Sequence, residues 1–164
     1  MIKILNTLSH KLLLKLKVNN LKLGTAESCT GGMLAQYLTM HPGSSQTYNF
    51  GFITYSNNSK VDILKIKKEY IEKYGAVSKE VCSAMALNLL KYKNIDISIA
   101  VSGIAGPDGG SIEKPVGLVH HALATKIYLI HKEIIYKGNR ETIRKLTVET
   151  CLKLTLNEIN KLLI

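Results

Sequence analysis

The segment LKLGTAESCTGGMLAQYL, at residues 21–38, sets the architecture because its periodicity changes across one polar turn. Apolar residues alternate from Leu21 to Thr25, as on a β-strand, whereas Leu34, Tyr37 and Leu38 repeat at helical spacing. The turn between them is short and built from small residues. This segment therefore predicts a strand, a tight loop and a helix in that order.

The same alternation of strands and helices continues along the chain. Period-two patterns predict further strands at 48–55, 95–101, 116–124 and 126–136, the last two as neighbours. Helical patterns predict helices at 5–16 and from Asn57, Ser78 and Asn139. The last helix is expected to bury Val148, Leu152, Leu156, Ile159 and Leu163. These elements predict an α/β fold, a three-layer α/β/α sandwich with a mixed, mainly parallel sheet, as a single domain over residues 1–164.

Composition restricts the class of protein. Hydrophobic residues make up 46% of the chain, yet the N-terminal apolar stretch is interrupted by lysines, which argues against a signal peptide or membrane span. Three cysteines without CxxC spacing argue against a disulfide framework or structural zinc, so we expect a cytoplasmic protein without a metal. The net charge of +10 suits nucleic acid, but the lysines are scattered and no Trp is available for stacking. We therefore expect no nucleic-acid or membrane partner, and a homo-oligomer, as is common for small α/β enzymes.

Three segments have the composition of ligand-binding loops, which in α/β sheets follow the carboxyl ends of strands. In TAESCTGG (25–32), small residues would let backbone N–H groups approach an anion or amide, although a capped turn explains them equally well. SGIAGPDGG (102–110) holds four of the twelve glycines, which favours a binding loop over a mere connector.

The third segment, GNRETIR (138–144), contains the only two arginines among 22 Lys and Arg residues. Arg140 and Arg144 are four residues apart, so a helix would present both guanidinium groups on one face. Guanidinium groups bind phosphate bidentately, which indicates a phosphate monoester as ligand. The alternative is a structural ion pair involving Glu141 or another carboxylate.

A nucleophile in these loops needs a base, and none of the five histidines lies within them. His120 and His121 fall within a predicted strand and are expected to be structural. In YSNNSK (55–60), Asn57 would cap a helix and Lys60 would lie in its first turn, where the helix dipole and burial beside Tyr55 lower the pKa of the amine. A neutral Lys60 could deprotonate a serine, whereas an ordinary exposed lysine could not.

Six segments together carry a resemblance to a known family, and they are TAESCTGG, GSS, GFITYSNNSK, YGAVS, VSGIAGPDGGSIEKPVG and GNRETIR. From about Leu21 to Arg144 the chain resembles the CinA C-terminal domain family, the nicotinamide-nucleotide amidases. The resemblance implies hydrolysis of nicotinamide mononucleotide to nicotinate mononucleotide and ammonia, with no cofactor or required metal. It also implies a stand-alone enzyme, without the N-terminal domain that some relatives carry.

The resemblance further implies roles for individual residues. Ser45 of GSS would be the nucleophile, Lys60 its base and Tyr55 the hydroxyl that orients or relays the proton. The substrate would be bound by residues of the three loops: Cys29, Thr30, Gly31, Ser102, Gly103 and Arg140, the last at the 5′-phosphate. Arg144 is added to this group from its spacing alone.

Two alternatives stay open. Ser28 or Cys29 could be the nucleophile instead, because a cysteine at a helix N-terminus can have a depressed pKa. The chain could also be a non-catalytic module that binds nucleotides or, through its positive charge, nucleic acid.

Overall fold

The computed structural model describes residues 1–162, and within them the chain forms six α-helices and five β-strands. The helices are α1 (Ile2–Val18), α2 (Met33–Thr39), α3 (Asn57–Asp62), α4 (Lys68–Tyr74), α5 (Lys79–Leu90) and α6 (Arg140–Leu162). The strands are β1 (Leu23–Glu27), β2 (Tyr48–Ile53), β3 (Ile97–Gly103), β4 (Leu118–Thr125) and β5 (Leu129–Ile135). A 3₁₀ turn, Ser44–Gln46, precedes β2.

The sheet has the strand order β2-β1-β3-β4-β5. Strand β1 pairs in parallel with β2 and β3, while β4 is antiparallel to both β3 and β5. Four strands therefore run in one direction and only β4 opposes them, which confirms the predicted mixed, mainly parallel sheet. The carboxyl ends of β1, β2 and β3 meet at one edge, because the parallel register starts from Leu23 opposite both Tyr48 and Ile97.

Helices cover both faces of this sheet, as the alternating pattern predicted. On one face, α1 and α6 pack together through leucines such as Leu5, Leu16 and Leu152, with α2 beside them. On the other face, α5 buries Met85 and Leu89 against the small side chains of the strands. The three-layer α/β/α sandwich is thereby confirmed, and Leu163, expected in the same buried stripe of α6, lies outside the described residues.

Helix caps follow the predicted pattern with one correction. Ser78 accepts the N–H of Val81 at 3.2 Å, and Asn139 accepts the N–H of Thr142 at 2.9 Å. Helix α3 begins at Asn57 as expected, but its cap is Ser56, which accepts the N–H of Ser59.

Two further features differ from expectation. Helix α4 was not predicted, because Ile71 is its only buried residue and the apolar stripe is too short to reveal a period. Strand β1 continues to Glu27, two residues beyond the alternating pattern. Among residues 1–162 no helix combines the length and apolar character needed to cross a bilayer.

Candidate active site

A cavity of about 260 Å³ lies where β1 and β3 end. Its walls come from the loops after β1 and β2, the loop before α5, the glycine-rich loop after β3 and the start of α6. The lining residues are Ser28, Cys29, Tyr55, Ala76, Val77, Ser102, Gly103, Ile104, Ala105, Gly106, Asp108, Gly109 and Arg140. Two of the three loop segments singled out in the sequence therefore meet here, together with the first arginine of the third.

The central contact joins Ser28 to Lys60. Ser28 is the first residue after β1 and its side chain lines the cavity, while Lys60 lies in α3, after β2. The Nζ atom of Lys60 is 3.1 Å from the Oγ atom of Ser28, which is hydrogen-bonding distance. A serine hydroxyl and an amine are thus held together at the carboxyl ends of two neighbouring parallel strands.

Lys60 is buried to an unusual degree for a lysine, with only 1% of its surface exposed. Its Nζ also donates to the carbonyl of Thr54 at 2.8 Å and approaches those of Tyr55 and Ser56 at 3.5 Å. No carboxylate pairs with this amine within the described residues. Burial therefore lowers the pKa of Lys60, because the charged form loses its hydration without gaining an anion.

The carboxylate of Glu27, the residue before Ser28, is hydrogen-bonded elsewhere. Its carboxylate accepts three backbone N–H groups at the start of α2, from Gly32 and Leu34 at 3.0 Å and from Ala35 at 2.8 Å. The N–H groups expected to meet a ligand at this helix start are therefore occupied by the protein. Glu27 instead anchors the loop that carries Ser28.

Cys29 does not have the character of an activated nucleophile. Burial raises the pKa of its thiol to about 12, so that the thiolate is scarce at neutral pH. The side chain packs with Ala105, Val119 and Ile143 in a small apolar cluster. It lines the cavity as an apolar wall.

Arg140 and Tyr55 form the rim of the cavity. The guanidinium group of Arg140 donates to the carbonyl of Gly106 at 2.8 Å and to the Tyr55 hydroxyl at 2.7 Å. Tyr55 is 56% exposed, and its hydroxyl contacts Arg140 rather than Lys60. The rim is therefore positively charged and open to solvent.

Arg144 does not share this position, although it lies one helical turn further along α6. It donates to the carbonyl of Thr30 at 2.6 Å, and neither Arg144, Thr30 nor Gly31 borders the cavity. The expectation that both arginines would face one ligand is wrong for this reason. Arg144 instead holds the loop after Ser28 against α6.

Ser102 and Gly103, at the end of β3, both border the cavity. The Ser102 hydroxyl donates to the carbonyl of Ala76 at 2.7 Å, which ties β3 to the loop before α5. A Cβ atom on Gly103 would lie 2.7 Å from the carbonyl oxygen of Leu118. Glycine is therefore required there for the close approach of β4.

Ser45 is not brought to Lys60, and the expected Ser45–Lys60 pair is wrong in this structure. Ser45 is exposed in the 3₁₀ turn that precedes β2, whereas Lys60 follows the other end of that strand. A six-residue strand spans roughly 17 Å, so the two residues lie at opposite edges of the sheet. The hydroxyl at Lys60 belongs to Ser28, one of the two alternatives left open by the sequence.

Sequence reasoning missed two acidic residues of the site. The role of Glu27 could have been predicted from the sequence, because a single acidic residue at the end of an apolar strand is expected to be buried and to have hydrogen-bond partners. Asp108 borders the cavity from within the glycine-rich loop. The composition of this loop indicated a binding loop but did not single out Asp108. Ala76 and Val77 belong to YGAVS, one of the segments that carry the resemblance, but that motif did not indicate that they border the cavity.

Comparison with known proteins assigns this chain to a family. The family described as CinA C-terminal domain matches residues 5–159. Relatives named competence-damage inducible protein, from Acetivibrio thermocellus and Clostridium botulinum strain Langeland, are each 50% identical, over 130 and 129 residues. Each alignment covers 79% of this chain and 32% of the relative, so the chain spans about a third of their length.

Solved structures agree with this match over nearly the whole chain. The crystal structure of competence/damage inducible protein CihA from Agrobacterium tumefaciens is 40% identical, with a TM-score of 0.92 and 96% of each chain covered. That of a CinA superfamily protein from Escherichia coli is 34% identical, with a TM-score of 0.88 and coverage of 93% of this chain and 90% of the other. This chain therefore belongs to the CinA C-terminal domain family.

Proposed function

We propose that this protein hydrolyses the carboxamide of nicotinamide mononucleotide to nicotinate mononucleotide and ammonia, with Ser28 as the nucleophile and Lys60 as its base. The observation that carries the proposal is the 3.1 Å contact between the buried Lys60 amine and the Ser28 hydroxyl at the cavity wall. An amide is a poor electrophile with a poor leaving group, so its hydrolysis requires an activated nucleophile and a proton donor. This pair can supply both.

The surroundings of Lys60 suit a neutral amine. Two N–H groups can donate to backbone carbonyls, of which Thr54 is the nearest at 2.8 Å, and the remaining lone pair is then free to accept the Ser28 proton. Burial lowers the pKa of the amine and so increases the neutral fraction. No histidine is needed as a base.

The proposed reaction proceeds in two steps. Ser28 Oγ attacks the carboxamide carbon while its proton passes to Lys60. Lys60 then protonates the amide nitrogen, the C–N bond breaks, and ammonia departs to leave an ester on Ser28. Water attacks this ester while its proton passes to Lys60, the Ser28 oxygen departs and takes that proton back, and the nicotinate product is released. Because the N–H groups of Gly31 and Gly32 already donate to Ser28 and Glu27, we propose that of Cys29, which borders the cavity, for the oxyanion.

Substrate binding is proposed at the rim. Arg140 is the candidate for the 5′-phosphate, since its guanidinium group borders the cavity at the open side beside Tyr55. Tyr55 would then position this arginine and contact the substrate, in place of the proton relay expected from the sequence. A cytoplasmic location, a single domain and a homo-oligomeric state stay predictions.

The test is ammonia release from nicotinamide mononucleotide by wild-type protein and the variants Ser28→Ala, Lys60→Ala and Ser45→Ala. We expect the first two variants to lose nearly all turnover, and Ser45→Ala, a serine outside the cavity, to keep it. Full activity in Ser28→Ala, together with loss of activity in Ser45→Ala, would restore Ser45 as the nucleophile, as the resemblance implied. Saturable binding of the mononucleotide by wild-type protein without ammonia release would instead favour a non-catalytic nucleotide-binding module.

A further inference from the structure

Two histidines and a glutamate converge on the outer part of the sheet, away from the Ser28–Lys60 pair. His120 lies on β4, and His131 and Glu133 lie on the neighbouring β5. In the antiparallel register His120 is opposite Glu133, and His131 is opposite Ala122. Since residues two apart on a strand share a face, the three side chains project from the same side of the sheet.

The donor atoms of this cluster are already close. The Nδ1 atom of His120 lies 3.0 Å from the Nε2 atom of His131 and 3.7 Å from the Oε2 atom of Glu133. The two imidazole rings are stacked, with centroids 5.2 Å apart. His120 therefore lies between an imidazole nitrogen and a carboxylate oxygen.

We propose that His120, His131 and Glu133 form a binding site for a divalent transition-metal ion, with Zn²⁺ as the reference ion. Two imidazole nitrogens and one carboxylate are a ligand set that zinc accepts, with a fourth position left for water. The proposal does not depend on the amidase activity, because none of these residues borders the candidate active site.

Only small movements separate the present arrangement from a metal site. Two nitrogens bound tetrahedrally to zinc, each at about 2.0–2.1 Å, are roughly 3.3 Å apart, which is close to the present spacing of the two imidazoles. No three metal-binding side chains among residues 1–162 are already assembled around a common point. Glu133 must therefore change rotamer, and it is free to do so because its side chain is 57% exposed.

The surroundings permit ligand exchange. A cleft of about 330 Å³ borders His120 and Glu133, so that water can reach the ion.

The test uses the full chain without a polyhistidine tag. Co²⁺ is titrated while its visible absorption is recorded, and Zn²⁺ is then added as a competitor. We expect one Co²⁺ ion per chain, displaced by Zn²⁺. Glu133→Gln and His131→Gln should each weaken binding by more than about 100-fold, because each removes a ligand and the loss of an outer-shell partner alone costs about 10–100-fold.

His10→Gln is the matched control, because His10 and His41 form the other close histidine pair, with ring centroids 5.2 Å apart. This variant should bind the metal as the wild type does. The proposal is overturned if the wild type gives no saturable absorption, if Glu133→Gln and His131→Gln bind as tightly as wild type, or if His10→Gln abolishes binding. Glu133→Gln replaces an exposed side chain, so it remains informative if His131→Gln folds poorly.

Discussion

Replacement of Lys60 by methionine is the sharpest test of the buried amine. Methionine keeps most of the volume and the apolar stem of the side chain but removes the nitrogen. In the folded chain Lys60 is 1% exposed, and its nitrogen is hydrogen-bonded to Thr54 and Ser28. We expect Lys60→Met to fold and to lower kcat by about 10²–10⁴-fold, the usual contribution of a general base. KM should change little, because Lys60 does not contact the proposed phosphate site.

The same variant tests the protonation state through stability. Burial lowers the pKa of Lys60 below its ordinary value of 10.5, so the folded chain loses this proton at a lower pH than the unfolded chain. Between those two pKa values the unfolded chain binds more protons, and the free energy of unfolding therefore increases with pH. The slope approaches about 1.4 kcal/mol per pH unit inside this window and vanishes outside it.

Urea unfolding of wild-type protein and Lys60→Met from pH 7 to 10 measures this effect. The difference between the two proteins is the relevant quantity, because the buried cysteines and tyrosines titrate in both and largely cancel. Wild-type protein should gain stability relative to the variant as the pH rises, and its kcat/KM should increase as the pH rises through the lowered pKa of Lys60. A difference that is independent of pH would show that Lys60 has no depressed pKa, and would refute the neutral-amine mechanism.

Three other substitutions test separate parts of the site. Glu27→Gln removes the charge that accepts three N–H groups of α2, and should lower the free energy of unfolding in urea by about 1–3 kcal/mol; an unchanged value would contradict its anchoring role. Arg140→Lys should raise KM for nicotinamide mononucleotide with little change in kcat, since an ammonium cannot bind phosphate bidentately; a loss confined to kcat would argue against a phosphate contact. Cys29→Ala should keep most activity. In the folded protein at pH 8 Cys29 should resist alkylation, because burial raises the pKa of its thiol to about 12, and rapid alkylation would make Cys29 a candidate nucleophile again.

The position of Ser45 shows how a linear motif can mislead. The resemblance paired Ser45 of GSS with Lys60 of YSNNSK, and these two motifs lie on either side of one strand. A strand is extended, however, so residues that flank it are separated by its full length. Ser28 is 32 positions from Lys60, yet the parallel pairing of β1 with β2 brings the ends of both strands to the same edge.

The two arginines illustrate the same difficulty on a helix. Spacing of four residues predicted one shared face, and α6 does contain both. Arg140 nevertheless turns towards Gly106 and Tyr55, while Arg144 turns towards Thr30, because each guanidinium group meets a different loop. Periodicity predicts the direction in which a side chain projects from its helix. The group that accepts its hydrogen bonds depends on which loop packs against the helix at that point.

Periodicity and capping chemistry are local properties, and they sufficed to predict the order of the strands and of every helix except α4, the caps Ser78 and Asn139, and the three-layer sandwich. They also indicated Lys60 as a candidate base, and that role stays a prediction. The partner of Lys60, the use of Glu27 as an anchor and the separation of Arg144 from the cavity required the packed structure. Each of these depends on contacts between residues far apart in the chain, which arise only when parallel strands align their ends and helices close over them.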